Sequence, residues 1–240
     1  MRVHIGTSGW QYKYWKEAFY PREVPQSRWL EYYATQFGAV EVNNTFYRLP
    51  PVETFATWAA RTPDDFIFAL KASRYLTHMK RLRDPEEPVS RLLERVAPLG
   101  SKLGPILLQL PPNFTIDLEV MDAALSCFPP GVKVAVEPRN STWFVDEYAE
   151  VLSRHNAASC IAVSPDRETP LWRTADWGYA RFHEGQTAPF TSYGKRTLLR
   201  WTERLRELFD DAKVYAFFDN DTNACAPRNA KALAALSTER

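Results

Sequence analysis

Eight short β-rich runs, each ending in polar residues and most followed by a helical pattern, constrain this chain more than any other feature. They are RVHIGTS (2–8), AVEVNN (39–44), FIFALKAS (66–73), PILLQLP (105–111), KVAVEPRN (133–140), ASCIAVS (158–164), GYARFHEG (178–185) and KVYAFFDN (213–220). The spacers place apolar residues at helical intervals. Leu30, Tyr33 and Phe37 share a face, as do Leu92, Val96 and Leu99, and Leu118, Met121, Leu125 and Phe128. Leu198, Trp201, Leu205, Leu208 and Phe209 form the clearest stripe. PPVETF puts prolines at a helix start, where a missing N–H costs least. SPDRETPLWRTADW, between the sixth and seventh runs, reads as loop rather than helix.

Strands alternating with helices imply parallel pairing, because a parallel connection needs a crossover of helix length. Eight units in 240 residues suit a (β/α)8 barrel, whose usual size is about 250 residues. An open doubly wound sheet normally carries a phosphate-binding GxGxxG after its first strand, and GTSGW is not one. The expected fold is α/β, one TIM-barrel domain over 1–240, with a long aromatic loop after strand one (SGWQYKYWKEAFYP). A hydrophobic content of 45% is enough for its core.

The charge total narrows the partners. With 30 basic and 29 acidic residues the net charge is +1, so nothing in the total supports nucleic-acid binding. Cys127, Cys160 and Cys225 are too few and too scattered for a disulfide framework and fit a reducing compartment. MRVHIGTSGW has no apolar signal core, and no stretch approaches the roughly 20 apolar residues of a membrane span. A cytoplasmic protein with no membrane partner is expected. The oligomeric state is not legible.

Barrels of this kind keep their sites at the C-terminal ends of the strands. With a side-chain period of two, Glu41 and Asn43 point one way together, as do Glu137 and Arg139, and Arg181 and His183. Lys71, Gln109 and Asp219 sit equally late on their own runs. Facing inward, they would ring one mouth with three carboxylates, three cations, two amides and an imidazole. The plain structural alternative is that these buried charges simply pair with one another.

At these residues the sequence resembles the YecE-like family, domain of unknown function 72. The resemblance rests on IGTSGW, EVNNTFYRLP, LGPILLQLPPNF, VAVEPRNSTWF, ARFHEG and FFDNDTNACAPRNA, in that order, and covers nearly the whole chain. It implies a TIM barrel but no established reaction. The matching positions include Ser8, Trp10, Asn43, Tyr47, Lys71, Gln109, Trp143, Asn220 and Asn223.

For chemistry, Glu41 and Glu137 are the natural acid–base pair, with His183 the other candidate base. A metal is not expected, because Lys71, Arg139 and Arg181 share the mouth and would repel it. No nucleotide-cofactor motif is present, and the cofactor is otherwise unknown. Ser8, Trp10, Asn43, Tyr47, Lys71, Gln109, Arg139, Trp143, Arg181, Asn220 and Asn223 are the expected ligand-binding residues. Each cysteine, Cys225 included, reads as a small buried hydrophobe. The expected function is hydrolysis of a small, ring-bearing polar ligand, sugar- or nucleoside-like, at the mouth. A non-catalytic ligand-binding or interaction protein, and a nucleic-acid-processing protein by fold analogy to endonuclease IV, stand as alternatives. Pro138 should end the fifth strand at Glu137, leave Arg139 at the rim and let Asn140 cap the next turn. Glu137→Gln is expected to abolish function while largely sparing the fold.

Overall fold

β-branched and aromatic residues recur in all eight runs, and every run contains extended backbone. The computed structural model describes residues 1–165, 167–185 and 191–238, without the side chains of Arg167 and Glu168; Asp166, in the loop-like spacer, lies outside the described residues. In chain order the elements are β1 (Arg2–Thr7), α1 (Trp29–Gln36), β2 (Ala39–Val42), α2 (Asn44–Tyr47), α3 (Val52–Ala60), β3 (Ile67–Lys71), α4 (Glu86–Val96), β4 (Leu103–Gln109) and α5 (Leu118–Ser126). Then come β5 (Val134–Glu137), α6 (Asp146–Arg154), β6 (Ala158–Ser159), β7 (Ile161–Ser164), β8 (Arg167–Glu168), β9 (Trp177–Phe182), α7 (Lys195–Leu208), β10 (Lys213–Phe218) and α8 (Cys225–Thr238).

The strands form two five-stranded sheets, ordered β1-β10-β9-β7-β8 and β2-β3-β4-β5-β6. All pairings are parallel except the β7–β8 hairpin. No continuous ladder joins the sheets among the described residues, so two sheets meeting at two seams stand where one closed barrel was expected. The first seam falls inside the run read as one strand. Ala158–Ser159 pairs with β5 and Ile161–Ser164 with β9, so the chain changes sheet at Cys160. Thr174 Oγ1 accepts from Ser159 N (2.8 Å) and donates to Ala157 O (2.7 Å). Thr169 Oγ1 accepts from Ala162 N (2.9 Å) and donates to Cys160 O (3.2 Å). These hydroxyls take the place of a missing strand.

The second seam lies between β1 and β2, bridged at Ser8 and Glu41 with Gly9 N donating to Glu41 O at 2.7 Å. Tyr33 reaches in from α1: its hydroxyl accepts from Thr7 N (2.9 Å) and donates to Ala39 O (3.1 Å). Gly6 makes this approach feasible, since a Cβ there would lie 2.0 Å from Ala39 O.

The core has two parts. The larger packs the helices onto the strands, with Phe68, Leu152, Trp201 and Leu205 among its members. The smaller joins Ala39, Ala69, Ala135 and Ala158 of one sheet to Trp177, Tyr179, Tyr215 and Phe217 of the other. Small residues opposite large ones allow dense interdigitation. After β1, Trp15 and Tyr20 are fully buried, and Tyr20 stacks on Trp29 at 4.4 Å between ring centroids. None of the three cysteines forms a disulfide among the described residues. Among the described residues no helix is long and apolar enough to cross a membrane.

Candidate functional site

The inner row of small and large residues runs straight into the polar strand ends. Ala39 and Glu41, Ala69 and Lys71, Ala135 and Glu137, and Tyr179 and Arg181 are each two apart on one strand, so alternation carries the core face onto the polar cluster. Gln109 and Glu137 are register partners at the ends of β4 and β5. Asp219 and His183 come just after β10 and β9, held by backbone bonds from Asp219 N to Phe182 O and from His183 N to Val163 O.

Arg181 is the hub. Its Nη2 and Nε donate to Glu41 Oε1 and Oε2 at 2.8 and 2.9 Å. Its Nη1 donates to Glu137 Oε2 at 2.7 Å, and Nη2 also reaches Asp219 Oδ2 at 3.1 Å. Ser8 Oγ and Tyr179 OH each donate to Glu41 at 2.6 Å, and Gln109 Nε2 donates to Glu137 at 3.0 Å. His183 lies between two carboxylates, with Nε2 3.0 Å from Glu137 and Nδ1 3.2 Å from Asp219. Arg139 Nε stands 3.6 Å from Glu137 at the rim. As expected for a strand stopped by Pro138, β5 ends at Glu137, and Asn140 accepts from Thr142 N at 3.0 Å.

Burial opposes ionisation of Glu137, but the Arg181 charge and the His183 bond outweigh it and hold the carboxyl well below its ordinary range. Asp219 is lowered on the same grounds. Burial likewise opposes a charged His183, yet the bonds to Asp219 and Glu137 hold it above its ordinary value. Burial pushes Asp221 up to about 7, although Tyr14 OH and Trp15 Nε1 both donate to it.

Lys71 differs from the rest. Its ammonium lies over the Phe46 ring, 4.2 Å from the centroid, and has no hydrogen-bond or ion-pair partner among the described residues. Desolvation and then the Arg181 charge lower its pKa. With Lys71 charged, four cations (Lys71, Arg139, Arg181, His183) face three carboxylates (Glu41, Glu137, Asp219).

The structure brings together Ser8, Glu41, Lys71, Gln109, Glu137, Arg139, Arg181 and His183. Glu41 and Glu137, the expected acid–base pair, are both wholly buried and bound to Arg181. Ser8 is committed to Glu41 rather than open to a ligand. Trp143 is corrected. It is 0% exposed, because the turn that Asn140 starts swings it into the core, where its Nε1 donates to Phe114 O. Trp10 is nearly buried against Trp58, yet with Gly9, Tyr12 and Asn43 it borders a cavity of about 160 Å³. Asn43 Oδ1 and Asn220 Oδ1 are buried acceptors without a partner among the described residues. Asn220 otherwise bonds Asn229, and Asn223 lines a wider cleft with Tyr14, Asp219 and Asp221. Tyr47 is 80% exposed, packs edge-on against Phe46 and makes none of the hydrogen bonds or ion pairs given for the Arg181 cluster among the described residues. Sequence reasoning missed Tyr179, although it shares the parity of Arg181 and His183. It also missed Asp221, which nothing in the local pattern distinguishes. Among the described residues no group of three or more His, Cys, Asp and Glu is arranged to hold a metal ion.

Comparison with known proteins gives the relationships. The profile of a family described as "Protein of unknown function DUF72" matches residues 4–240. The chain is 31% identical over 154 residues to the UPF0759 protein YecE of Escherichia coli K12, covering 63% of this chain and 54% of that protein, so the match spans about half the relative's length. A solved DUF72 family protein of Thermotoga maritima is 27% identical, with a TM-score of 0.84 over 100% of both chains. A D-psicose 3-epimerase of Clostridium cellulolyticum superposes with a TM-score of 0.57 at 13% identity, over 99% of this chain and 98% of that one. That last likeness concerns the fold alone, which is α/β with parallel sheets and TIM-barrel-like neighbours.

Proposed function

The chain belongs to the DUF72 family of proteins of unknown function, and from that premise we propose an enzyme that hydrolyses a small, ring-bearing polar ligand by acid–base chemistry at the C-terminal ends of its strands. We read the two sheets as one TIM-barrel domain in which β6 and β7 are a single interrupted strand. The shared segment at Cys160 and the Ser8–Glu41 bridge support this reading. Three cysteines without a disulfide among the described residues suit a cytoplasmic setting.

The observation that carries the functional reading is the ammonium of Lys71, which has no hydrogen-bond or ion-pair partner among the described residues. The mouth is one negative charge short, so an anionic or electron-rich ligand atom completes it. His183 is the proton donor. Its side chain is 12% exposed, against 0% for Glu41 and Glu137, so it is the better placed to meet a leaving atom. Glu137 and Asp219 then hold the imidazole in its charged form and fix its orientation. His183 gives its proton to the departing group as the bond to that group breaks, water supplies the hydroxyl, and the proton the water releases returns to the His183 imidazole.

The test is a thermal-shift and turnover screen of the full chain against glycosides, nucleosides and their esters, repeated with Lys71→Met and His183→Gln. Turnover lost in His183→Gln with binding retained supports the reading. A ligand that binds through Lys71 but is never turned over replaces it with the non-catalytic alternative, which the saturation of Glu41 and Glu137 by Arg181 favours.

A further inference from the structure

Phe46, whose ring carries the Lys71 ammonium, also borders a second cavity of about 480 Å³ that none of the residues around Arg181 lines. It is bounded by α2, by a π-helical turn at Tyr75–Met79 and by α4. Single π-turns are rare and frequent at functional sites. Three arginines line it: Arg74, Arg91 and Arg95. Arg91 and Arg95 are four apart on α4, a like-charge spacing that disfavours the helix unless an anion intervenes. Arg91 has an exposed partner in Glu87, but Arg74 and Arg95 have no ion-pair partner among the described residues. Two neighbouring cations are paired, Lys80 with Asp84 and Arg83 with Asp117. Two arginines without an ion pair among the described residues thus share one cavity.

The walls add a second signal. Seven large apolar side chains are exposed among the described residues, and three of them, Tyr47, Tyr75 and Met79, border this one cavity. Such clustering marks a binding surface rather than random exposure. Flat aromatic rings beside planar guanidinium groups suit a ring that carries an oxyanion.

We propose that this cavity is a phosphate-binding site for a small phosphomonoester, with the phosphate on Arg74, Arg91 and Arg95 and the organic ring against Tyr47 and Tyr75. The site stands on its own residues and goes beyond the chemistry assigned to the mouth. A polyanion such as single-stranded nucleic acid is the less favoured occupant, because two of the neighbouring cations, Lys80 and Arg83, are already paired and the net charge is only +1.

The experiment is calorimetric titration of the full chain with phenyl phosphate, inorganic phosphate and a ten-residue oligothymidylate, at low and moderate salt. Arg74→Ala, Arg95→Ala and Tyr47→Ala are the variants; all three side chains are exposed, and unchanged melting curves verify the fold. Phenyl phosphate should bind more tightly than inorganic phosphate. Each arginine variant should weaken both by about tenfold, the loss expected for one charge-assisted hydrogen bond. Tyr47→Ala should erase the advantage of phenyl phosphate alone. No saturable binding of either phosphate, or binding indifferent to Arg74→Ala and Arg95→Ala together, would overturn the proposal. So would tighter, steeply salt-dependent binding of the oligonucleotide. Because no outcome depends on turnover or on His183, failure here is separable from failure of the hydrolytic reading.

Discussion

Arg181 grips Glu41 with a two-pronged fork, Nε at 2.9 Å from one carboxylate oxygen and Nη2 at 2.8 Å from the other. The two residues belong to different sheets, β9 on one side and β2 on the other. Glu137, from the same sheet as Glu41, takes the remaining arm. The polar heart of the candidate site is thus also a tie between the two halves of the molecule.

Arg181→Met should therefore unsettle the fold and not only the mouth. It strands two fully buried carboxylates, and removing one partner of a buried ion pair costs about 3–5 kcal/mol. Urea denaturation measures this, and a loss below about 1 kcal/mol would show that the carboxylates find other partners or protonate cheaply.

Glu137→Gln, which the sequence suggested would spare the fold, is expected to lose stability too. An amide at that position turns an NH2 group toward the donors of Arg181, Gln109 or His183. The expected cost is about 3 kcal/mol, read from the same denaturation curves.

Lys71→Met should do the opposite. The lysine is half-buried over the Phe46 ring with no hydrogen-bond acceptor among the described residues, so replacing it with an apolar side chain of similar length relieves the cost of its partial desolvation. Stability should stay level or rise by up to about 1 kcal/mol while ligand binding at the mouth disappears. A clear fall in melting temperature would assign Lys71 a structural role.

The strand ends are legible in the sequence because parity and proline are one-dimensional signals: Glu41, Glu137, Arg181 and His183 fall where period two puts them. The partnership of Arg181 with Glu41 spans 140 residues and depends on how the sheets meet, which no spacing encodes. Trp143 misleads because nearness to a strand end does not reveal which way the next turn swings. The cavity that gathers Arg91 and Arg95 with Arg74 and Tyr47 draws on three separate elements, so no local pattern announces it. The break at Cys160 is hidden because both halves of the run are equally β-prone.

The pH dependence of stability has two limbs. Glu137 and Asp219 are held below their ordinary values of 4.5 and 3.8, so they stabilise above those values and the contribution is lost as pH falls through the folded pKa. His183 is held above 6.5, so its contribution is full below 6.5 and is lost as pH rises through its folded value. Lys71, held below 10.5, works the other way as pH rises, whereas Asp221, raised to about 7, loses stability between 3.8 and 7. Comparing His183→Gln with the parent cancels both. The variant should lack the parent's decline above pH 6.5 and keep the acid limb; an unchanged alkaline limb would show that His183 is not held charged.

Three hydroxyls, those of Tyr33, Thr169 and Thr174, each accept one backbone N–H and donate to one backbone carbonyl at the places where the sheets meet. A strand paired to a strand can open only by unzipping neighbours in sequence. A backbone amide closed by a rotating hydroxyl can be released alone, and water can take its place without disturbing the ladder beside it. The amides of Thr7, Ser159 and Ala162 are therefore the points at which this molecule breathes between its halves, and their exchange with deuterium reads the strength of the Arg181 tie from outside the site.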